Sequence, residues 1–297
     1  MTSPEKGFLL LTSHLGDPER RPLTPVQLRQ LTRLVAASEG SSEDRTLTAE
    51  DLTGIGCSGE LARRVVSLLE DTAVLDHYCG RGKRGGCIPL TRVSPGYPGL
   101  LRQRLGEDSP GCLWARGDSS FLEEPAIALV GSRDLGEENS VFAREVGLLA
   151  ARKGWVLISG NARGADRTAQ NACLEAGGRV ISVVADSLRE KPEQAGILYL
   201  SEDGYEEPFS AQRALSRNRI IHGLAQITFV AQAGLRKGGT WSGTLQNLRH
   251  GWSTVVCFRD GSEASRELEQ LGAWSMDLEE LTHFSVPFPQ VRSLFDP

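Results

Sequence analysis

The chain has 297 residues, of which 39% are hydrophobic and 24% charged, with 38 acidic against 33 basic side chains and a formal net charge of -5. This balance excludes a disordered chain and a general polycation, so any attraction for nucleic acid must come from a local patch. No apolar run approaches the roughly 20 residues of a membrane span, and the short run 8–11 is flanked too closely by Glu5 and Lys6 to be a signal-peptide core. The expectation is therefore a cytoplasmic protein that does not contact membrane. Its cysteines, scattered without paired spacing, fit reduced thiols better than a disulfide framework.

In chain order, Thr24-Pro25 reads as an N-cap and first helical position, and Val26, Leu28, Leu31, Leu34 and Val35 continue the helix to about residue 37. A polar loop is expected over 40–45. A short helix starts at Thr48, and a second runs from about Gly59 with Leu61, Val65, Val66, Leu68 and Leu69 on its apolar face. The Gly54-Ile55-Gly56 turn between them resembles a helix-hairpin-helix unit. Such a turn either offers its amides to a DNA phosphate or only packs the helices, and the sequence leaves both open.

Residues 77–106 contain no carboxylate but carry Arg81, Lys83, Arg84, Arg92, Arg102 and Arg104. The glycine-rich part, 79–87, is expected to be a mobile linker closing a helical domain of residues 1–85. His77, Cys79 and Cys87 lack the paired spacing of common zinc sites, so no metal is assigned.

From Pro125 the pattern becomes strand, loop, helix. Buried strands are expected over 126–130, 155–158, 180–184, 196–200, 227–231 and 254–258, with helices over 142–152, from the end of the 159–166 loop to Gly177-Gly178, and from about Ala211, Ser242 and Glu263. The fold class is thus α/β: an extended Rossmann-like, mostly parallel sheet domain (86–285) preceded by the small helical domain, with 286–297 as a tail. Ligands in such sheets sit at the carboxyl ends of the strands.

A second acid-free run spans 208–259 and holds Arg213, Arg217, Arg219, Arg236, Lys237, Arg249 and Arg259. A run with one sign of charge removed, in an acidic protein, suggests an anion-attracting surface. Three loops share a complementary design: Gly131-Ser132-Arg133, Ser159-Gly160-Asn161-Ala162-Arg163-Gly164-Ala165-Asp166, and Trp241-Ser242-Gly243-Thr244. Glycine lets backbone amides approach a ligand, and a helix N-terminus favours negative charge. The pattern is one for phosphate, but it contains neither a P-loop nor a dinucleotide fingerprint. No cofactor is assigned.

These blocks, with 127–133, Ser201-Glu202, Arg217-Asn218-Arg219-Ile220-Ile221 and Ser242-Gly243-Thr244-Leu245 in this order, resemble the DNA-processing protein A (DprA/Smf) family. The likeness extends upstream to Leu90-Thr91-Arg92 and Tyr97-Pro98, and downstream to Gly272-Ala273. It implies a non-catalytic single-stranded DNA binder that dimerises and helps load the recombinase RecA during natural transformation and recombination. On that resemblance the DNA contacts are Gly131, Ser132, Arg133, Ser159, Gly160, Arg163, Gly164, Arg217, Asn218, Arg219, Ser242, Gly243 and Thr244. Arg217 is expected to be the exposed phosphate contact and Arg219 the more structural of the pair. The sequence departs from the family pattern where a Phe-Pro usually precedes Arg-Asn-Arg, having Ala214-Leu215. It departs again at Gln170 and Gln232 and in an insertion at 234–239, and no C-terminal winged-helix domain is expected from the tail 286–297.

Two rival readings use the same pocket. The run Gly238-Gly239-Thr240-Trp241-Ser242-Gly243-Thr244 looks superficially like the loop of the "Lonely guy" nucleoside-monophosphate phosphoribohydrolases, but glycosidic cleavage needs a carboxylate and 208–259 has none. Asp166 or Glu202 could substitute only from other loops, and Asp166 also suits a helix-capping role. The other rival is a sensor of a nucleotide.

Overall fold

The structure, a computed structural model, describes residues 1–38 and 47–284; the expected loop 40–45 and tail 286–297 lie outside the described residues. The chain divides into two compact units. One comprises Met1–Gly117 with the excursions Asp186–Glu193 and Leu200–Phe209; the other comprises Asp118–Ala185, Gln194–Tyr199 and the chain from Ser210. Among the described residues no helix is long and apolar enough to cross a membrane.

The first unit begins with five helices: α1 (Ser3–Thr12), α2 (Pro25–Ala37), α3 (Ala49–Gly54), α4 (Gly59–Glu70) and α5 (Thr72–Arg84). The side chains of Thr2, Thr24, Thr48 and Ser58 each accept a hydrogen bond from a first-turn amide of α1 to α4 respectively, as N-caps do. Leu61, Ala62, Val65 and Leu68 put the apolar stripe of α4 against Leu31 and Leu52. In the turn between α3 and α4, Gly56 N donates to Thr53 O and Cys57 N to Leu52 O, both at 3.0 Å. Two turn amides are therefore satisfied internally, which favours the packing role of this hairpin over a phosphate-binding one.

Residues 79–87 are not a linker. They complete α5 and enter β1 (Cys87–Thr91), which pairs antiparallel with β2 (Cys112–Arg116); α6 (Gly99–Leu105) lies between these strands in sequence. Packing explains the glycines here. Gly82 is buried, and a Cβ on it would lie 2.9 Å from Tyr205 and 3.3 Å from Trp114. Tyr78, Trp114 and Tyr205 form one aromatic cluster, with Tyr78 and Tyr205 stacked at 4.5 Å, and the Tyr205 hydroxyl donates to Tyr78 O at 2.8 Å.

The second unit alternates strand and helix: β3 (Ala126–Val130), α7 (Glu137–Lys153), β4 (Val156–Ser159), α8 (Ala165–Glu175), β5 (Arg179–Val183), β6 (Ile197–Ser201), α9 (Ala211–Ser216), α10 (Asn218–Leu224), β7 (Ile227–Val230), α11 (Gly238–His250), β8 (Thr254–Phe258), α12 (Glu263–Gln270), β9 (Trp274–Met276) and α13 (Leu278–Thr282). Spatial order is β6-β5-β4-β3-β7-β8-β9. β3 pairs in parallel with β4 and β7, and parallel pairing continues outward to β5, β8 and β9. β3 and β4 are buried along their whole length, as strands covered on both faces must be. The Rossmann-like, mostly parallel sheet read from the sequence is present.

The chain leaves β3 in one direction across the sheet and returns to its other side at β7. The strand order therefore reverses between β3 and β7, and that crevice is where such sheets hold ligands. Helices α7 and α8 approach very closely: a Cβ at Gly147 would lie 2.2 Å from Ala169 O.

Candidate nucleic-acid interface

Four segments meet beyond the carboxyl ends of β3, β4 and β7. The β3 loop is fastened on both sides: Ala165 N donates to Ser132 O at 3.1 Å, and Thr240 Oγ1 donates to Gly131 O at 2.9 Å. Gly136 N donates to Gln232 Oε1 at 2.9 Å, and Asn139 Nδ2 reaches Ala231 O at 2.8 Å, which closes the crevice between β3 and β7 from below. Glycine is required where these segments touch. A Cβ at Gly131 would lie 2.5 Å from Ala165 Cβ. Gly164 has φ +85, and a Cβ there would lie 2.4 Å from Arg133 O. Both features exclude a side chain at 164.

The β4 loop is organised by Asp166. Its Oδ2 accepts from Gly160 N and from Ala162 N, each at 3.1 Å. The carboxylate thus folds the preceding loop back onto α8 and leaves the α8 N-terminus uncapped by any side chain. The capping role expected from sequence is not the one it performs. Asp166 is 6% exposed, and its Oδ2 lies 3.9 Å from Arg217 Nη2. Burial pushes its pKa up, while Arg217 and the two amides pull it down.

Arg217 is 8% exposed, not the free phosphate contact expected from sequence. It occupies the C-cap position of α9 and the N-cap position of α10, and its guanidinium donates to Gly160 O at 3.1 Å and to Asn218 Oδ1 at 2.8 Å. The physical reason is Asp166: a buried carboxylate needs a cation, and the bare α-carbon of Gly160 makes room for one. Asn218 passes the connection on, its Nδ2 donating to Gly239 O at 3.1 Å. Arg219 is half-buried, with Nη1 on Ser216 O at 2.7 Å.

The third loop is displaced from its expected place. α11 begins at Gly238, so Ser242, Gly243 and Thr244 lie in the helix body beyond the first turn, where amides are already bonded along the helix. Gly243 and Thr244 are buried; a Cβ at Gly243 would meet Asn218 at 3.2 Å and His222 at 3.3 Å, so this glycine serves the packing of α10 on α11. The amides that open toward the crevice belong to 238–240 instead. The Gly238-Gly239 pair is the sequence signal for this start, although glycine pairs suggest loop by propensity.

Sequence reasoning also missed a buried polar network behind α10. His222 Nδ1 lies 3.3 Å from Thr228 Oγ1 and 3.2 Å from Asn247 Nδ2, and Asn247 and Thr228 both meet Ser253. Burial, helped by the positive charge of Arg217, lowers the His222 pKa to about 3. Gln170 Nε2 similarly joins Ser159 and Ser182 under the β4 loop, which makes the buried Ser159 structural.

Exposed cations at the crevice include Arg133, Arg163 and, at the N-cap position of α11, Lys237. Arg163 makes a 2.8 Å pair with Asp134, with both side chains at least 75% exposed, an arrangement of little energetic weight that a phosphate can displace. Arg133 makes no ion pair among the described residues. Further out, two cations of the 208–259 run are answered by carboxylates outside it: Arg236 by Glu267, and Arg259 by Asp277 and Glu280. Helices α7, α8, α10 and α11 all begin without a side-chain cap, unlike α9, α12 and α13 of the same unit. Uncapped helix starts beside exposed arginines form an arrangement suited to phosphate.

A family model described as DNA recombination-mediator protein A matches residues 89–256. The DNA processing protein DprA of Streptococcus pneumoniae is 33% identical over 179 residues, 56% of this chain and 63% of that protein. The Bacillus subtilis protein of the same name is 32% identical over 175 residues, 55% of this chain and 57% of the relative. The chain thus spans about three fifths of the length of these relatives. Among solved structures, the X-ray structure of S. pneumoniae DprA superposes with a TM-score of 0.71 at 23% identity, covering 97% of this chain and all of that one. DNA processing protein A from Helicobacter pylori, whose structure is described in terms of its single-stranded DNA binding mode, gives 0.55 at 22% identity, over 67% of this chain and 93% of its own. At these identities the superpositions speak for the fold. The family match covers more than half of the sequence, and the chain belongs to the DNA recombination-mediator protein A (DprA/Smf) family.

Proposed function

We propose that this chain binds single-stranded DNA by its phosphates, in the crevice at the carboxyl ends of β3, β4 and β7, and performs no reaction on it. The observation that carries this reading is the convergence of Arg133, Arg163 and the uncapped starts of α8 and α11 on the point where strand order reverses. Family membership points the same way. A binder that reads phosphates needs a positive groove and close backbone amides, and it is indifferent to sequence. Asp166 supports the non-catalytic reading, because its Oδ2 is committed to two amides and faces Arg217. By family, the reading extends to action as a homodimer in the cytoplasm, with recombinase RecA as partner in DNA uptake and recombination.

Stacking contributes less than charge in this reading. Leu215, 52% exposed, stands in the segment where a stacking aromatic is expected, and aliphatic side chains give no π-face for a base. Affinity should therefore be unusually salt-sensitive. The test is a titration of a labelled single strand and of the same sequence as duplex across a range of salt. Preference for the single strand with a steep negative salt slope supports the proposal. Equal affinity for duplex, absence of a slope, saturation by a mononucleotide or release of free base from one would each overturn it.

A further inference from the structure

The other acid-free window is left unused by the crevice, and its cations do not stand alone. Helix α5 ends on Arg81, Lys83 and Arg84, all at least partly exposed. Cations favour a helix C-terminus, which accounts for their presence in the last turn. It does not account for two further arginines that the fold delivers to the same place from distant sequence. Arg116, at the end of β2, donates to Gly85 O, and its guanidinium lies 3.5 Å from where a Gly86 side chain would begin. Its Nε is shielded from solvent and makes no hydrogen bond among the described residues. Arg189 lays its stem 3.8 Å from the corresponding point at Gly85. Both positive charges are felt at the neighbouring Cys87 thiol, where they oppose the upward push of burial.

The one carboxylate bonded into this cluster among the described residues is Glu206, which takes Arg81 on one oxygen and Arg189 on the other, the latter at 2.8 Å. Lys83 and Arg84 make no ion pair among the described residues. Five cations therefore surround a two-glycine turn with one anion between them. Such a concentration of like charge is repulsive unless a polyanion neutralises it. The amides of Gly85 and Gly86 are bonded within the turn, to Arg81 O and Lys83 O among others, so recognition here rests on side-chain charge. The missing side chains leave the turn low enough for a sugar-phosphate backbone to lie across it.

We infer that the end of α5 is a second phosphodiester-binding patch, which adds to the binding of long single strands. This rests on the proposed function above. The occupant is nucleic acid, recognised without regard to sequence, and its contribution depends on strand length.

The test compares wild-type protein with Lys83→Ala/Arg84→Ala and with Lys153→Ala, a charge-removal control on an exposed lysine of α7, after confirming equal thermal stability. Probes are single strands of about 8 and about 40 nucleotides, within and well beyond the span of one OB-fold-sized site, and vesicles containing anionic lipid. The double variant should bind the long strand about tenfold more weakly, with a salt slope shallower by about 1.4, or about 0.7 for each phosphate no longer neutralised. The short strand and the control should match wild type. Unchanged long-strand binding overturns the inference while leaving the crevice reading intact. So does equal weakening on both strands, or a loss confined to vesicles. Wild-type protein that binds neither strand overturns both.

Discussion

Arg217 Nη2 donates to the carbonyl of Gly160 at 3.1 Å and lies 3.9 Å from Asp166, so the central arginine of the 208–259 run supports the crevice from beneath. Replacing it with alanine strands a buried carboxylate, at a cost of about 3–5 kcal/mol. Denaturant unfolding should show this as a large drop in midpoint for Arg217→Ala. A midpoint within the scatter of surface variants would mean that the pair does not hold the β4 loop.

Gly160→Ala should reproduce that defect from the other side. The new methyl would overlap the Arg217 guanidinium, which must then leave. A destabilisation of about 1–3 kcal/mol is expected from overpacking. Combined with Arg217→Ala, the two effects should add to much less than their sum, because both act through one contact. Full additivity in a double-mutant cycle would argue against the contact.

Arg133→Ala and Arg163→Ala should behave oppositely. Both side chains are exposed, so stability should stay within about 0.5 kcal/mol. Binding should weaken for every sequence, and the salt slope should fall by about 0.7 for each single-strand phosphate that the variant no longer neutralises. Normal binding by the double variant would remove the crevice from consideration.

His222 predicts an acid arm in the stability profile. Its folded pKa is lowered to about 3 from an ordinary 6.5, so between those values the unfolded chain binds the extra proton. Stability is then fully present above about 6.5 and falls as pH drops toward 3, by up to about 1.4 kcal/mol per pH unit. Asp166, with a raised pKa, works in the other direction over its own range, so the informative quantity is the difference between wild type and His222→Gln. That difference should shrink steadily below pH 6.5; a constant offset would contradict it.

The sheet is legible in the sequence because its strands are short, largely apolar runs, as in 126–130, bounded by Pro125 and Gly131, and in 254–258. The helix expected from about Ala211 is found there, with Ser210 as its N-cap. What sequence does not disclose is non-local. Arg217 is buried because of Asp166, which lies on a different helix. Residues 79–87 are ordered because Tyr205 and Trp114, both distant in sequence, cover Gly82. The start of α11 escapes a reading by propensity because two adjacent glycines suggest a loop, whereas Gly238 and Gly239 open a helix. The edge strand β9 has only three residues, too short for any period to show.

The close approach of Gly147 to the Ala169 carbonyl has a consequence for how a strand can be gripped. Two helices packed this closely at a glycine leave little room to slide past each other, which couples α7 to α8. The loops carrying Arg133 and Arg163 feed directly into those helices. The placement of these two loops is therefore tied to that joint. On the proposed reading, a strand in the crevice would meet that placement as given, whereas the α10–α11 side is joined through side chains such as Asn218 on Gly239 O.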